Sequence, residues 1–243
     1  MIIKTKVRMV TKMSRFWTLA AMTVAVTGFT SCLKNSDPEP QRPFTIIAFV
    51  NSLATPYGID ILMDGTKITN EELKYGGAPG ARFNPKSYKF DFKRFGKDSL
   101  LGTVTAVFDT SRYTTLFLYG TQAAGAEVLR IREDLTNMSN EKANIRFFNF
   151  VPESGQVDVF LGTTKVFSSR SYKDFLSPYN ITWTPTEPGQ HTITVKTAAG
   201  TELAKLDAAN LNTRGGAYNI YYQGVKDSTS GDLKPRVRFM AYQ

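Results

Sequence analysis

The residues of this chain best suited to chemistry are its one cysteine, Cys32, its one histidine, His191, and two aspartates in matching surroundings, Asp60 and Asp158. A Ser-His-Asp or Cys-His nucleophile needs an imidazole as its base. In His191-Thr-Ile193-Thr-Val195 alternation places that ring on the face of Ile193 and Val195, which reads as the edge of a core. Zinc needs several His or Cys ligands at set spacings, and one of each excludes the usual patterns. A glycosidase needs two carboxylates about 5 to 9.5 Å apart. Asp60 and Asp158 instead hold corresponding points of two separate units, on the face opposite Ile59/Ile61 and Val157/Val159. Solvation, or a backbone hydrogen bond beside a hairpin, is the expected role of both. Leu62 and Phe160 share that outer face and are candidates for cover by a neighbouring strand or for an exposed contact.

Other candidates weaken in the same way. Asp227-Ser-Thr-Ser-Gly231-Asp232 offers clustered oxygens but lacks the bidentate Glu that completes a calcium loop. The Gly76-Gly77 and Gly215-Gly216 stretches lack the strand-to-helix setting of a phosphate loop. Tyr179 and Trp183 form the best candidate pair for stacking on a sugar. Yet Tyr179, Ile181 and Trp183 alternate with Asn180, Thr182 and Thr184, which predicts that all three face inward. No catalytic residue, metal site or cofactor is expected.

Cys32 has a different use. Lys4, Lys6, Arg8, Lys12 and Arg15 precede it without an acid, followed by the uncharged stretch 16–29. Those residues are too few for a membrane span, which needs roughly 20, but suit the apolar region of an export signal. The arrangement resembles a bacterial lipoprotein signal of the looser kind found in the Bacteroidetes, with Phe29 and Ser31 at the positions flanking cleavage. Cleavage would leave Cys32 acylated, and two or more chains anchor stably. Outer-membrane attachment is therefore expected, on a face the sequence does not specify. The leader also takes five basic residues with it, leaving 25 basic against 21 acidic residues, a net +4 in place of +9. Without a Lys/Arg block, no nucleic-acid partner is expected. The stretch 32–43 has three prolines and reads as an extended tether.

The elements that would position any site come from a duplication. A shift of 98 residues places Phe49-Val-Asn51 on Phe147-Phe-Asn149, and Ile59-Asp60-Ile61 on Val157-Asp158-Val159. Asp64-Gly65 and Gly162-Thr163 then occupy the same two-residue turn, as type I′ and type II′ pairs respectively. Further on, Ala81-Arg-Phe83-Asn-Pro85 is matched to Ile181-Thr-Trp183-Thr-Pro185. Tyr88, Phe90 and Phe92 fall on His191, Ile193 and Val195, and Leu116 to Gly120 on Ile220 to Gly224. Nearly every segment alternates with period two, so half-buried strands are predicted, with one short helical turn each at 71–75 and 172–176. The result is an all-β chain of two tandem immunoglobulin-like β-sandwiches, 44–134 and 143–243, joined by a linker at 135–142.

Asn51, followed by Asp60-Ile-Leu-Met-Asp64-Gly65 and the strand Tyr88-Lys-Phe90-Asp-Phe92, is similar to the domain of unknown function 4397 family. The resemblance extends over nearly all of 44–243. It implies paired β-sandwich domains behind an export signal and no established activity. Together these readings give a non-catalytic envelope lipoprotein that binds a glycan or a protein. The alternatives are a structural spacer or assembly subunit and, remotely, a carboxylate glycosidase.

Overall fold

The computed structural model describes residues 43–110, 112–229 and 231–242. Residues 1–42, which hold the expected export signal, Cys32 and the expected tether except Pro43, lie outside the described residues. Strands β1 (Thr45–Ala54), β2 (Ile59–Met63), β3 (Thr66–Lys67), β4 (Gly80–Phe83), β5 (Lys86–Arg94), β6 (Leu100–Phe108), β7 (Tyr113–Thr121) and β8 (Gly125–Arg132) form one half. The other half holds β9 (Ala143–Asn149), β10 (Val157–Leu161), β11 (Thr164–Arg170), β12 (Thr184–Thr186), β13 (Gly189–Thr197), β14 (Glu202–Leu211), β15 (Ala217–Gln223) and β16 (Arg236–Tyr242).

The duplication is explicit in the sheet order. Sheet I runs β4-β1-β7-β8 and sheet II runs β3-β2-β5-β6; sheet III repeats the first as β12-β9-β15-β16, and sheet IV the second as β11-β10-β13-β14. In both halves the first strand pairs in parallel with the seventh, Phe49 opposite Leu116 and Phe147 opposite Ile220. The all-β, two-sandwich expectation is borne out. The hairpins follow their predicted turn chemistry too: Asp64 and Gly65 both have positive φ, at 50° and 83°, while Gly162 alone does so in the second copy, at 57°.

Each sandwich has its own core. Phe49, Ile61, Phe90 and Phe92 lie between sheets I and II, and Phe147, Val159, Ile193 and Val195 between sheets III and IV. A third core was not anticipated. Val50, Phe117, Tyr119, Ile131, Phe148, Phe150, Phe175 and Tyr221 form one buried cluster on the remaining faces of sheets I and III. The sheets therefore stack in the order II, I, III, IV, and the inner two are covered on both faces. This overturns uniform alternation: β9 and β15 are buried at every position, whereas β6 and β8 on the flank keep largely alternating exposure. The residues from Pro43 onward accordingly form one compact unit.

Two further expectations need correction. Residues 71–75 make no helical turn; Leu73 instead bridges to Ile59 in the manner of a strand. The second-copy counterpart, Asp174–Leu176, does form a 3₁₀ turn. The match of 81–85 to 181–185 is also out of register, since Ile47 faces Ala81 whereas its counterpart Ile145 faces Thr184. A second 3₁₀ turn, Pro178–Ile181, occupies the residues read as strand. Proline at its start has a preset φ and no N–H to lose, so it favours that turn over a ladder.

Candidate functional site

The residues singled out from sequence do not converge. Tyr179, predicted to face inward, is 87% exposed because the 3₁₀ turn breaks the period-two pattern. Trp183 is half-buried, stacked 4.2 Å from the Arg146 guanidinium, and its indole N–H donates to the Asp134 carbonyl at 2.7 Å. Leu62 lies on the outer face of sheet II. Phe160 lies on that of sheet IV, flanked by the ammonium groups of Lys165 and Lys196. His191 is partly exposed, its Nε2 2.8 Å from the Glu187 carbonyl.

Asp60 and Asp158 sit on the two outermost sheets with sheets I and III between them, so they cannot share a cleft. Both are nearly buried, not solvated, and each fastens the return of its hairpin. Asp60 pairs with Lys67 at 2.7 Å and accepts the Gly96 N–H at 3.0 Å. Asp158 pairs with Lys165 at 2.5 Å and accepts the Ser169 N–H at 2.9 Å. Burial pulls the Asp60 pKa upward, but Lys67, the Gly96 N–H and Thr69 outweigh it and hold the carboxyl below its ordinary range. The bond to Lys165, then that to the Ser169 N–H, lowers Asp158. The repeated asparagines are structural as well. Asn51 donates to the Leu73 carbonyl at 2.8 Å, and Asn149 to the Arg170 carbonyl at 3.3 Å. Each also caps the N–H two residues ahead, at Leu53 and Val151.

Sequence reasoning missed a buried ion pair where sheets I and III meet. Arg146 and Glu133 bond directly, with side chains 3% and 0% exposed. Glu133 also accepts hydrogen bonds from Thr115 and Tyr242, both at 2.6 Å, and Arg146 donates to Asn219 at 2.6 Å. Burial, reinforced by the Glu133 carboxylate, pushes the Tyr242 phenol well above its ordinary pKa. The cluster joins the end of the first sandwich to the second. An Arg inside an apolar strand, Ile145-Arg-Phe147, was the available sign of it.

The feature best shaped for a ligand lies in the first sandwich. Between the edge of sheet I at β4 and the segment 68–73 opens an apolar slot of about 420 Å³. Phe49, Ile61, Ile68, Leu73 and Phe83 form its walls, and among the described residues Glu71 and Glu72 are its only ionisable lining. Ligand sites are typically apolar concavities of about 300–1,000 Å³ with a few polar groups. It opens because β3 ends after two residues and the chain then loops away to Leu73.

Comparison with known proteins bears on the family. Residues 46–160 match the model of the family described as Domain of unknown function (DUF4397). That similarity runs from β1 across the I–III interface to β10, short of the 44–243 over which the resemblance was read. No curated protein matches. Among solved structures, the chain is similar to CBMbc (family CBM26) from Eubacterium rectale Amy13K in complex with maltoheptaose. The identity is 10% over 82% of this chain and 96% of that one, with a TM-score of 0.26, too low to carry an argument about fold or ligand.

A pH dependence follows from the two aspartates. Their folded pKa values lie below the ordinary 3.8, so the stability they contribute is full above about pH 4 and is lost as pH falls through the folded values. Asp60→Asn and Asp158→Asn are expected to lower the urea midpoint at pH 7. That deficit should shrink steadily below pH 4, measured by chemical denaturation across pH.

Proposed function

We propose that the protein is a non-catalytic lipoprotein of the cell envelope, anchored at the outer membrane through acylated Cys32, whose folded part binds a glycan or protein ligand. The observation that carries the binding reading is the slot beside β4. Ile68, Leu73 and Phe83 are partly exposed at its mouth over a floor of buried Phe49 and Ile61, at a sheet edge where apolar surface is usually covered. The non-catalytic reading draws on the separation of Asp60 from Asp158 and on the structural engagement of His191. At about 3.1 Å per residue, the proline-bearing stretch 32–43 would hold the folded part some 30 Å from the membrane.

The second reading, a subunit of an envelope assembly, is favoured by one element. β6 is an edge strand of nine residues without a charge, and its Leu100 and Val107 are 57% and 58% exposed. Its counterpart β14 carries the Lys205–Asp207 pair, two register shifts and a positive φ at Ala208, devices that blunt an edge. In β6 the Val107 carbonyl turns away from β5 to accept Arg130, and alternation points the backbone groups of Thr103 and Thr105 the same way.

Two outcomes test the proposal. Cys32→Ser is expected to move the protein from the membrane fraction to the soluble fraction, with loss of the acyl mass on the N-terminal peptide; retention in membranes would contradict the anchor. Residues 43–243 screened on a glycan array and in pull-downs should retain a ligand that Ala81→Trp, which fills the slot mouth, abolishes. Absence of any ligand, together with concentration-dependent self-association, would favour the assembly reading.

A further inference from the structure

The second sandwich shows what the slot of the first is shaped to hold. Phe147, the counterpart of Phe49, is covered by Phe167, whose ring stacks on it at 6.1 Å with an interplanar angle of 26°. Arg170 lies over both rings, at 5.5 and 5.6 Å, and is tied to Asp174 at 2.5 Å. Its guanidinium also donates to the Asn180 carbonyl at 2.8 Å, which closes the gap between the sheets against the two 3₁₀ turns.

The first sandwich lacks both closing groups. A bulge sets Phe167 opposite Val159, where in the first copy Ile68 bonds Ile61 and brings no ring. Thr69, the residue matched to Phe167 by the 98-residue shift, turns its hydroxyl back to Asp60 at 3.3 Å and accepts the Ile61 N–H at 3.2 Å. The repeated asparagine identifies the other substitution. Asn149 holds the Arg170 carbonyl where Asn51 holds that of Leu73, so Leu73 stands where Arg170 does. Phe49, 4% exposed, is met only edge-on here, by Phe83 at 6.1 Å, and among the described residues carboxylates are the only charges lining the opening. Alongside runs β4, the terminal strand of sheet I, whose outer edge pairs with no strand among the described residues.

Building on the slot as the ligand site, we infer that its occupant is an extended basic peptide segment of a partner protein. The segment adds to the outer edge of β4, places an aromatic side chain in the slot against Ile68, Leu73 and Phe83, and sets an Arg or Lys against Glu71, Glu72 being already engaged by the Gly58 N–H at 2.6 Å. Main-chain hydrogen bonds to an open edge supply affinity in such complexes, and side-chain pockets supply selection. The acidic rim rejects acidic segments.

The natural probe is the peptide Thr-Lys-Val-Phe-Ser-Ser-Arg, the sequence of 164–170, blocked at both ends and added to methyl-labelled 43–243. Saturable NMR shifts are expected at Ile61, Ile68 and Leu73. Binding should weaken about tenfold or more when the peptide carries Phe167→Ala, as loss of a buried ring implies. A peptide with Arg170→Glu should bind more weakly, and Glu71→Lys in the protein should weaken the parent peptide. Ala81→Trp should remove the shifts while leaving the rest of the spectrum in place; Thr69→Phe, which supplies the missing ring in cis, is the second blocking variant. Titration with 4-methylphenol separates the two levels of the argument. If the phenol shifts the slot methyls and the peptide does not, the peptide inference is overturned and the slot survives as a ligand site. If neither shifts them, both fall. Binding that ignores the peptide's Phe or Arg, or both blocking variants, also overturns the inference.

Discussion

Phe150 meets five other rings where sheets I and III join: Phe117 at 5.1 Å, Tyr119 at 5.0 Å, Phe148 at 5.8 Å, Phe175 at 5.1 Å and Tyr221 at 6.5 Å. Those contacts, with Val50 beside them, turn two sandwiches into one four-layer body. Aromatic pairs in offset or edge geometry contribute about 0.5–1.5 kcal/mol each beyond area burial, so the seam is more than a covering of apolar surface. At one side it is closed by the Arg146–Glu133 pair. Breaking such a pair by removing one partner typically costs about 3–5 kcal/mol, because the survivor stays charged in an apolar setting. The pair thereby disfavours any rotation of one sandwich against the other that would separate the two groups.

This constraint explains how two copies of one unit came to differ. Both keep the strand order, the asparagine that ties down the hairpin return, and the aspartate that fastens it. They diverge at the gap between the paired sheets. The second copy closes it with Phe167, Arg170 and two 3₁₀ turns, whose Phe175 reaches the seam. The first copy, whose segment 69–72 loops out instead, leaves the gap open to solvent. One copy is sealed and helps to build the joint; the other keeps a concavity.

Much of this was readable from residue types. Asp64-Gly65 and Gly162-Thr163 specify their turns because φ must be positive at Asp64, Gly65 and Gly162, a local matter that distant packing cannot change. The duplication was readable for the same reason, since Asn51 and Asn149 serve short-range bonds that each copy must make. The seam was hidden by the assumption that a strand has one wet face. Phe148 and Phe150 lie on the opposite side of β9's line from Phe147, a sign of burial on both sides that periodicity alone does not interpret. Tyr179 was misplaced because alternation over a few residues does not distinguish a strand from a 3₁₀ turn entered through Pro178. The slot could not be read at all. It depends on what Thr69 and Leu73 fail to fill, and an empty volume leaves no residue to mark it.

The claim that the seam makes one cooperative unit is tested most directly by native-state hydrogen exchange on residues 43–243. β5 and β13 lie in the outer sheets, each far from the seam, and report separately on the two sandwiches. The account predicts equal opening free energies for their slowest amides, lowered together by about 3–5 kcal/mol in Phe150→Ala. Two different opening energies in the unsubstituted protein, or a loss confined to β13 in the variant, would contradict it.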